Sequence, residues 1–331
     1  MRRLIQVAVI GLGVGEQHAR AWSRQRGASL VGVCDHDREK ARRVSRELKT
    51  GNFQGWRSIM KQPGLDVVSI ATFDQQHARQ VREALLAGKH VFVEKPLCRT
   101  GGELKTIRKA WARKKPALMA NLVLRAAPLY RSLGGMIAAG KLGKIYAMDG
   151  DYLYGRIHKI TAGWRSRDKT YSVMAGGGVH LLDLILGLSA ERPAAVTATG
   201  NRICTCGSRF HCKDFVSAIF EFPSGLVARV TANFGCVHRH QHSLRIFGTR
   251  GTVIIDDAGA RWHQSRRPDA RARALRWKRL PASKGELIPD FAGLIRSRPA
   301  ARQKAADREF CLAACLIAAD RALQTGRRQK V

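Results

Sequence analysis

Three features of the chain carry the residue types that redox chemistry on an alcohol needs, in the order Gly11 turn, Lys95, His180. Glu94-Lys95-Pro96 closes the apolar run His90-Val-Phe-Val. A lysine at the mouth of a buried strand, beside a glutamate and locked by a proline, suits a group that polarises a bound hydroxyl. Gly11-Leu12-Gly13-Val14-Gly15 precedes it, directly after an apolar run, and His180 follows Gly176-Gly177-Gly178 on an apolar stretch with helical spacing. Oxidising a secondary alcohol sends hydride from carbon to a nicotinamide and a proton from oxygen to a nearby base. Lys95 and His180 are therefore the catalytic candidates. The spacing puts His180 in the first turn of a helix, whose N-terminal field disfavours imidazolium and keeps a proton-accepting ring near neutral pH. The bland alternatives are a core histidine satisfied by backbone and a strand-end lysine paired with Glu94.

The glycine turn sits where a dinucleotide site belongs, after a first strand and before a first helix. Glycines there let the backbone approach a pyrophosphate, and the helix N-terminus meets its charge. The spacing is G-x-G-x-G, one residue short of the standard pattern. Asp35, ending the second strand, is placed to accept hydrogen bonds from ribose hydroxyls and to repel a 2′-phosphate, which favours NAD. His36, Arg38 and Lys40 leave NADP open. Asp35 is also a candidate N-cap for the second helix.

These groups need a scaffold. Leu4 to Ile10, Ser29 to Cys34, Leu65 to Ala71, His90 to Glu94 and Ala117 to Asn121 read as buried strands. Helical periods fall between them at Glu16 to Arg26, Asp37 to Leu48, Gln76 to Ala87 and Gly102 to Arg113. That alternation predicts an α/β fold opening with a Rossmann domain, a doubly wound parallel sheet over residues 1–122. From 123 to 331 the rhythm changes. Short strands rich in Val, Ile, Thr and Phe appear at Ile145 to Tyr154, Ala194 to Asn201, Asp214 to Phe222, Leu226 to Phe234, Leu244 to Gly248 and Gly251 to Asp256. They predict a C-terminal α+β domain with a mostly antiparallel open sheet. Helices are expected at Val179 to Leu188 and Phe310 to Leu323, and a hairpin turn at Gly248-Thr249-Arg250-Gly251.

A second cluster points to the substrate. Tyr152, Tyr154, Arg156, Lys159, Trp164 and Arg165 fall on a strand and the loop after it, and Arg125 precedes them. Aromatic faces suit sugar rings, and Arg and Lys suit carboxylate or phosphate, so an anionic sugar derivative is favoured. The alternative is an aromatic-rich interface with solvated charges.

Composition narrows the rest. The 331 residues are 45% hydrophobic, as in a folded globular protein, and no apolar stretch is long enough for a membrane span. The first run enters a glycine turn without a cleavage pattern, so it reads as a strand rather than a leader, and the expected compartment is the cytoplasm. Eight cysteines lack a framework spacing. Cys204, Cys206, His211 and Cys212 lack the paired knuckles of a zinc site, so no metal is expected and the thiols read as reduced. The formal net charge is +34, a field that attracts anions, but the bases are dispersed without the arms or aromatic interleaving of a nucleic-acid module.

Taken together, these residues resemble the Gfo/Idh/MocA family of glucose–fructose oxidoreductase and inositol dehydrogenase. The resemblance runs nearly end to end. It rests on the Gly11 turn with His18, Asp66-Val-Val-Ser-Ile-Ala-Thr72 with His77, and Gly88-Lys-His-Val-Phe-Val-Glu-Lys-Pro-Leu97. It continues through Gly140-Lys-Leu-Gly143, Gly176-Gly-Gly-Val-His-Leu-Leu-Asp183 and Gly248-Thr-Arg-Gly251. The resemblance implies NAD(P)-dependent oxidation or reduction of sugars, cyclitols or sugar nucleotides. It also implies a homodimer or homotetramer assembled through the C-terminal sheet. By carry-over Lys95 touches the substrate hydroxyl and His180 is the general acid/base. Thr72 and Glu94 line the nicotinamide side, and Gly11, Gly13, Val14, Gly15, Asp35, Arg38, His77 and Lys95 complete the cofactor set. Asp183 joins the substrate residues. Many members carry an aspartate four residues before the histidine, and here that position is Gly176. A redox-neutral glycosidase using bound NAD and a ligand sensor without turnover are the rival activities.

Overall fold

The opening apolar run folds as expected into a central strand, β1 (Ile5–Ile10), buried on both faces because helices flank it. The computed structural model describes residues 3–276 and 281–331. Along the chain follow α1 (Gly15–Arg24), β2 (Ala28–Cys34), α2 (Arg38–Glu47), β3 (Gly51–Asn52), α3 (Trp56–Lys61), β4 (Val67–Ile70), α4 (Asp74–Leu86), β5 (His90–Val93), α5 (Gly101–Ala112) and β6 (Leu118–Ala120). The strands form one parallel sheet in the order β3-β2-β1-β4-β5-β6. The strand order reverses at β1/β4, the doubly wound arrangement predicted. Sequence periodicity gave no sign of β3, two exposed residues without a side-chain pattern.

Helix ends explain two boundaries. Asp37, not Asp35, caps α2, its side chain accepting from Lys40 N–H at 3.0 Å. Thr100 and Glu103 make a reciprocal capping box at the start of α5.

The second half contains α6 (Pro128–Ala138), β7 (Ile145–Leu153), α7 (His158–Thr161) and α8 (Val179–Ser189). The strands β8 (Ala195–Asn201), β9 (Phe215–Glu221), β10 (Val227–Asn233), β11 (Gln241–Gly248), β12 (Thr252–Asp256), β13 (Gly259–His263) and β14 (Arg273–Leu275) follow. The chain ends in α9 (Ile288–Ile295), α10 (Pro299–Thr325) and β15 (Gln329–Lys330). The nine-stranded sheet runs β14-β13-β12-β11-β7-β10-β9-β8-β15. Its pairs are antiparallel except β7 with β10. The predicted hairpin closes with Gly248 N–H donating to Gly251 C=O at 2.9 Å. Helix α8 lies on β7 and β10, and α6 packs on α8.

Contacts divide the chain into two units. One takes the described residues through Ala126 together with Pro281–Ala313, and the other those from Ala127 to Leu280 together with Ala314–Val331. The first unit is thus discontinuous, whereas the sequence reading assigns everything after 122 to one domain. The reason is apolar. Leu287, Ile288, Phe291 and Ala292 of α9 enter the core that holds Val7, Val9, Trp22 and Phe92. Phe291 meets Phe92 and Trp22 with ring centroids 5.3 and 6.2 Å apart.

Candidate active-site residues

In the first unit, the glycine turn is built for close approach. Gly11 has φ +83°, and a Cβ there would lie 2.5 Å from the Ala71 carbonyl oxygen. A Cβ on Gly13 would meet nothing within 4 Å, so that side of the turn is open to a ligand. Gly15 begins α1, and Val14 precedes it at 39% exposure. Asp35 braces the turn. Its Oδ2 accepts from Leu12 N–H at 2.5 Å and its Oδ1 from Asp37 N–H at 2.8 Å, with His36 Nδ1 at 2.9 Å. The Asp35 side chain is 4% exposed, and its two oxygens shape the turn. Arg38 is exposed on α2. These residues fit a dinucleotide.

The loops after β4 and β5 carry the next group. Thr72 Oγ1 donates to Gln80 Oε1 at 2.7 Å. His77 is fully buried, its Nδ1 2.8 Å from Pro96 C=O and its Nε2 3.1 Å from Thr72 C=O. It pins the two loops together, and any effect on a cofactor passes through them. Lys95 follows β5, itself half-buried within a buried stretch, before a cis bond to Pro96.

Glu94 is 7% exposed and belongs to a buried polar network. Asn121 Nδ2 donates to Glu94 Oε1 at 2.7 Å and to Lys284 C=O at 2.8 Å. His18 places Nε2 3.3 Å from the same carboxylate and Nδ1 3.1 Å from Ser69 Oγ. Burial pushes the Glu94 carboxyl up, but the His18 hydrogen bond and the charges of His18, Lys284 and Lys95 outweigh it and hold it at about 2. Asn121 and Ser69 escaped the sequence reading, since a lone Asn or Ser at a strand end carries no spacing signal.

Arg125 also lies in the first unit. Its Nη1 donates to the buried carboxylate of Glu309 at 2.5 Å and its side chain is 12% exposed. The structure ties Arg125 to Glu309 of α10 by this ion pair.

In the second unit, His180 is 6% exposed and is the second residue of α8. The expected free helix start is not there. A π-helical turn, Met174–Gly178, runs directly into α8, with Gly178 itself in the helical region. The three glycines let the wider turn form, so the N-terminal field invoked for His180 falls about a turn earlier.

Around His180 stand rings that sequence spacing only half revealed. Tyr152 stacks on it at 6.0 Å and His242 meets it edge-on at 5.4 Å. His240 and His242 are 4.9 Å apart. Their signal is period 2: His242 pairs with Tyr152 across β11 and β7. Tyr154 packs on Tyr152 at 5.7 Å and on Phe234 at 4.6 Å. Arg156 donates to His240 Nδ1 at 2.5 Å and lies over the Tyr154 ring. Among the described residues, no His, Cys, Asp and Glu group has the geometry of a metal site. Trp164 and Arg165 join the edge of these rings, the guanidinium 4.6 Å from the Trp164 ring. Lys159 is exposed on α7, and Asp183 is 1% exposed within α8.

A doubly wound sheet, an open glycine turn and a brace from the second strand define an NAD-binding Rossmann oxidoreductase. The comparisons agree. Residues 5–122 match the family model for the oxidoreductase family with an NAD-binding Rossmann fold, and residues 130–254 match the GFO/IDH/MocA C-terminal domain. The chain belongs to the GFO/IDH/MocA family. It is 26% identical over 265 residues to 2,7-anhydro-N-acetylneuraminate hydratase of Escherichia coli (strain K12), covering 76% of this chain and 68% of that one. It is 26% identical over 258 residues to inositol 2-dehydrogenase of Acidothermus cellulolyticus, covering 76% and 73%. Levoglucosan dehydrogenase in complex with NADH shares the fold, with TM-score 0.84, 22% identity and 99% of both chains covered. Among the described residues no helix is long and apolar enough to cross a membrane.

Proposed function

We propose that the chain is an NAD-dependent oxidoreductase acting on a hydroxyl or keto carbon of a sugar or cyclitol, with an anionic sugar derivative as substrate. The observation that carries the reading is the setting of Lys95. It follows a glutamate that stays ionised in a buried, hydrogen-bonded network, on the loop that His77 ties to Thr72. The Gly11 turn, Asp35 and Thr72 would hold NAD, which supplies the hydride acceptor when bound. Lys95 polarises the reacting oxygen, and His180 takes the proton as the carbon gives up hydride. Tyr152 and Tyr154 give the sugar ring a surface, while Arg156 and Arg165 supply positive charge for a carboxylate or phosphate. Asp35 supports NAD over NADP, with Arg38 exposed beside it. Assembly through the second unit's sheet completes the reading; Tyr146, Ile219 and Val227 on its strands are 51%, 43% and 45% exposed.

Lys95→Ala tests it. The variant should lose at least about a hundredfold in kcat with NAD affinity unchanged, the range of a lost acid/base or polarising group. Near-wild-type turnover would remove Lys95 from the chemistry. Turnover of neutral hexoses in preference to uronates or sugar nucleotides would remove the anionic substrate. The hydratase relative favours one second reading, a reaction in which bound NAD is reduced and reoxidised within each cycle. Product formation without NADH accumulation would mark it.

A further inference from the structure

Tyr171 is 6% exposed and precedes the π-helical turn Met174–Gly178. Arg165 Nε donates to its hydroxyl at 3.2 Å, and the same guanidinium lies 5.8 Å from its ring. The ring packs edge-on against Trp164, Phe210 and Phe234, at 5.9, 5.9 and 6.3 Å. Phe234 in turn lies 5.5 Å from Tyr152, the ring stacked on His180. Tyr171 therefore belongs to the same ring cluster as His180.

Its hydroxyl has an unusual position. A Cβ built on Gly176 would overlap Tyr171 Oη. Position 176 lies in the π-helical turn that runs into α8, about one turn before His180 along the same helical run. The phenol thus enters, from a neighbouring loop, the space that a side chain on the turn before His180 would fill. We propose that Tyr171 is a substrate-positioning residue: its hydroxyl, admitted by Gly176 and held by Arg165, hydrogen-bonds the substrate beside the oxygen that His180 deprotonates. This rests on the dehydrogenase reading and deepens it. Gly176 is then the partner that makes room for Tyr171, and the two positions are interdependent.

The test compares wild type, Y171F, Y171A, G176D and Y171A/G176D. NAD reduction is followed with myo-inositol, D-glucose and D-glucuronate, alongside NAD Kd and Tm. Y171F keeps the ring and removes only the hydroxyl. It should lower kcat/KM about tenfold or more, with NAD Kd unchanged and only a small fall in Tm from the lost Arg165 hydrogen bond. G176D alone should lose Tm and activity, because its side chain meets Tyr171. In Y171A/G176D both should recover, and the double variant should outperform Y171A, the carboxylate standing in for the phenol. Wild-type kcat/KM in Y171F, or additive losses in the double variant, would overturn the proposal while leaving the dehydrogenase reading intact. No NAD reduction by wild type with any of the three sugars would overturn both.

Discussion

Asn121 and Glu94 face each other in the first unit, the amide nitrogen 2.7 Å from the carboxylate that precedes Lys95. The same amide reaches Lys284 C=O, so one side chain joins β6, the end of β5 and a segment more than a hundred residues away. A buried carboxylate at about 2 depends on such donors. Asn121→Leu should therefore cost about 1–3 kcal/mol in urea unfolding, the penalty of a buried acceptor losing its partner. It should also raise the apparent pKa of Glu94, read by NMR titration of the carboxyl carbon. An unchanged unfolding curve would show that His18 alone suffices.

Asp35 holds the glycine turn through Leu12 N–H at 2.5 Å. Asp35→Ala should weaken NAD binding about tenfold or more by fluorescence titration, because the turn loses its brace and a ribose loses an acceptor. Discrimination against NADP should fall in the same variant. Equal loss for both nucleotides would confine Asp35 to bracing.

Gly11→Ala combines positive φ with a Cβ 2.5 Å from the Ala71 carbonyl oxygen. Both effects displace the turn. Stability should fall by about 1–3 kcal/mol, with a larger proportional loss of NAD affinity. Wild-type Tm and Kd together would contradict the close approach of the turn to β4.

His90 gives a pH dependence. Burial, reinforced by the charge of Arg302, lowers its pKa from 6.5 to about 4, and its Nδ1 accepts from Ala117 N–H at 2.8 Å. A base with a depressed folded pKa stabilises fully above its unfolded value. That stability is lost as pH falls from 6.5 toward 4. Unfolding free energy should drop by about 2 kcal/mol between pH 6.5 and pH 5 from this group alone. His90→Asn should flatten that part of the profile. A wild-type curve level across the interval would rule out His90 as the source.

Local signals carried much of this architecture. The apolar strands around β1 and the Gly11 turn were legible because period and glycine placement are local properties. The Gly248–Gly251 hairpin was legible for the same reason. Tyr171 and Gly176 were not, since their relationship depends on where a loop crosses a π turn. The period-2 spacing of His240 and His242 puts them on one face, but only the register of β11 on β7 sets His242 opposite Tyr152. The Arg125–Glu309 pair was likewise hidden, because its two residues lie far apart in sequence. The helix start expected near His180 lies earlier because Gly176, Gly177 and Gly178 carry the helical run on in wider form.

Helix α9 has a consequence for how the molecule is made. A ribosome delivers Val7, Val9, Trp22 and Phe92 long before Leu287, Ile288 and Phe291 of the same core. The nascent sheet must wait, one apolar patch uncovered, while the whole intervening unit is translated. Folding from the N-terminus first, the usual order for a leading domain, cannot finish here. A fragment ending at residue 126 should emerge incomplete and prone to aggregate, because it lacks the α9 side chains that close its core.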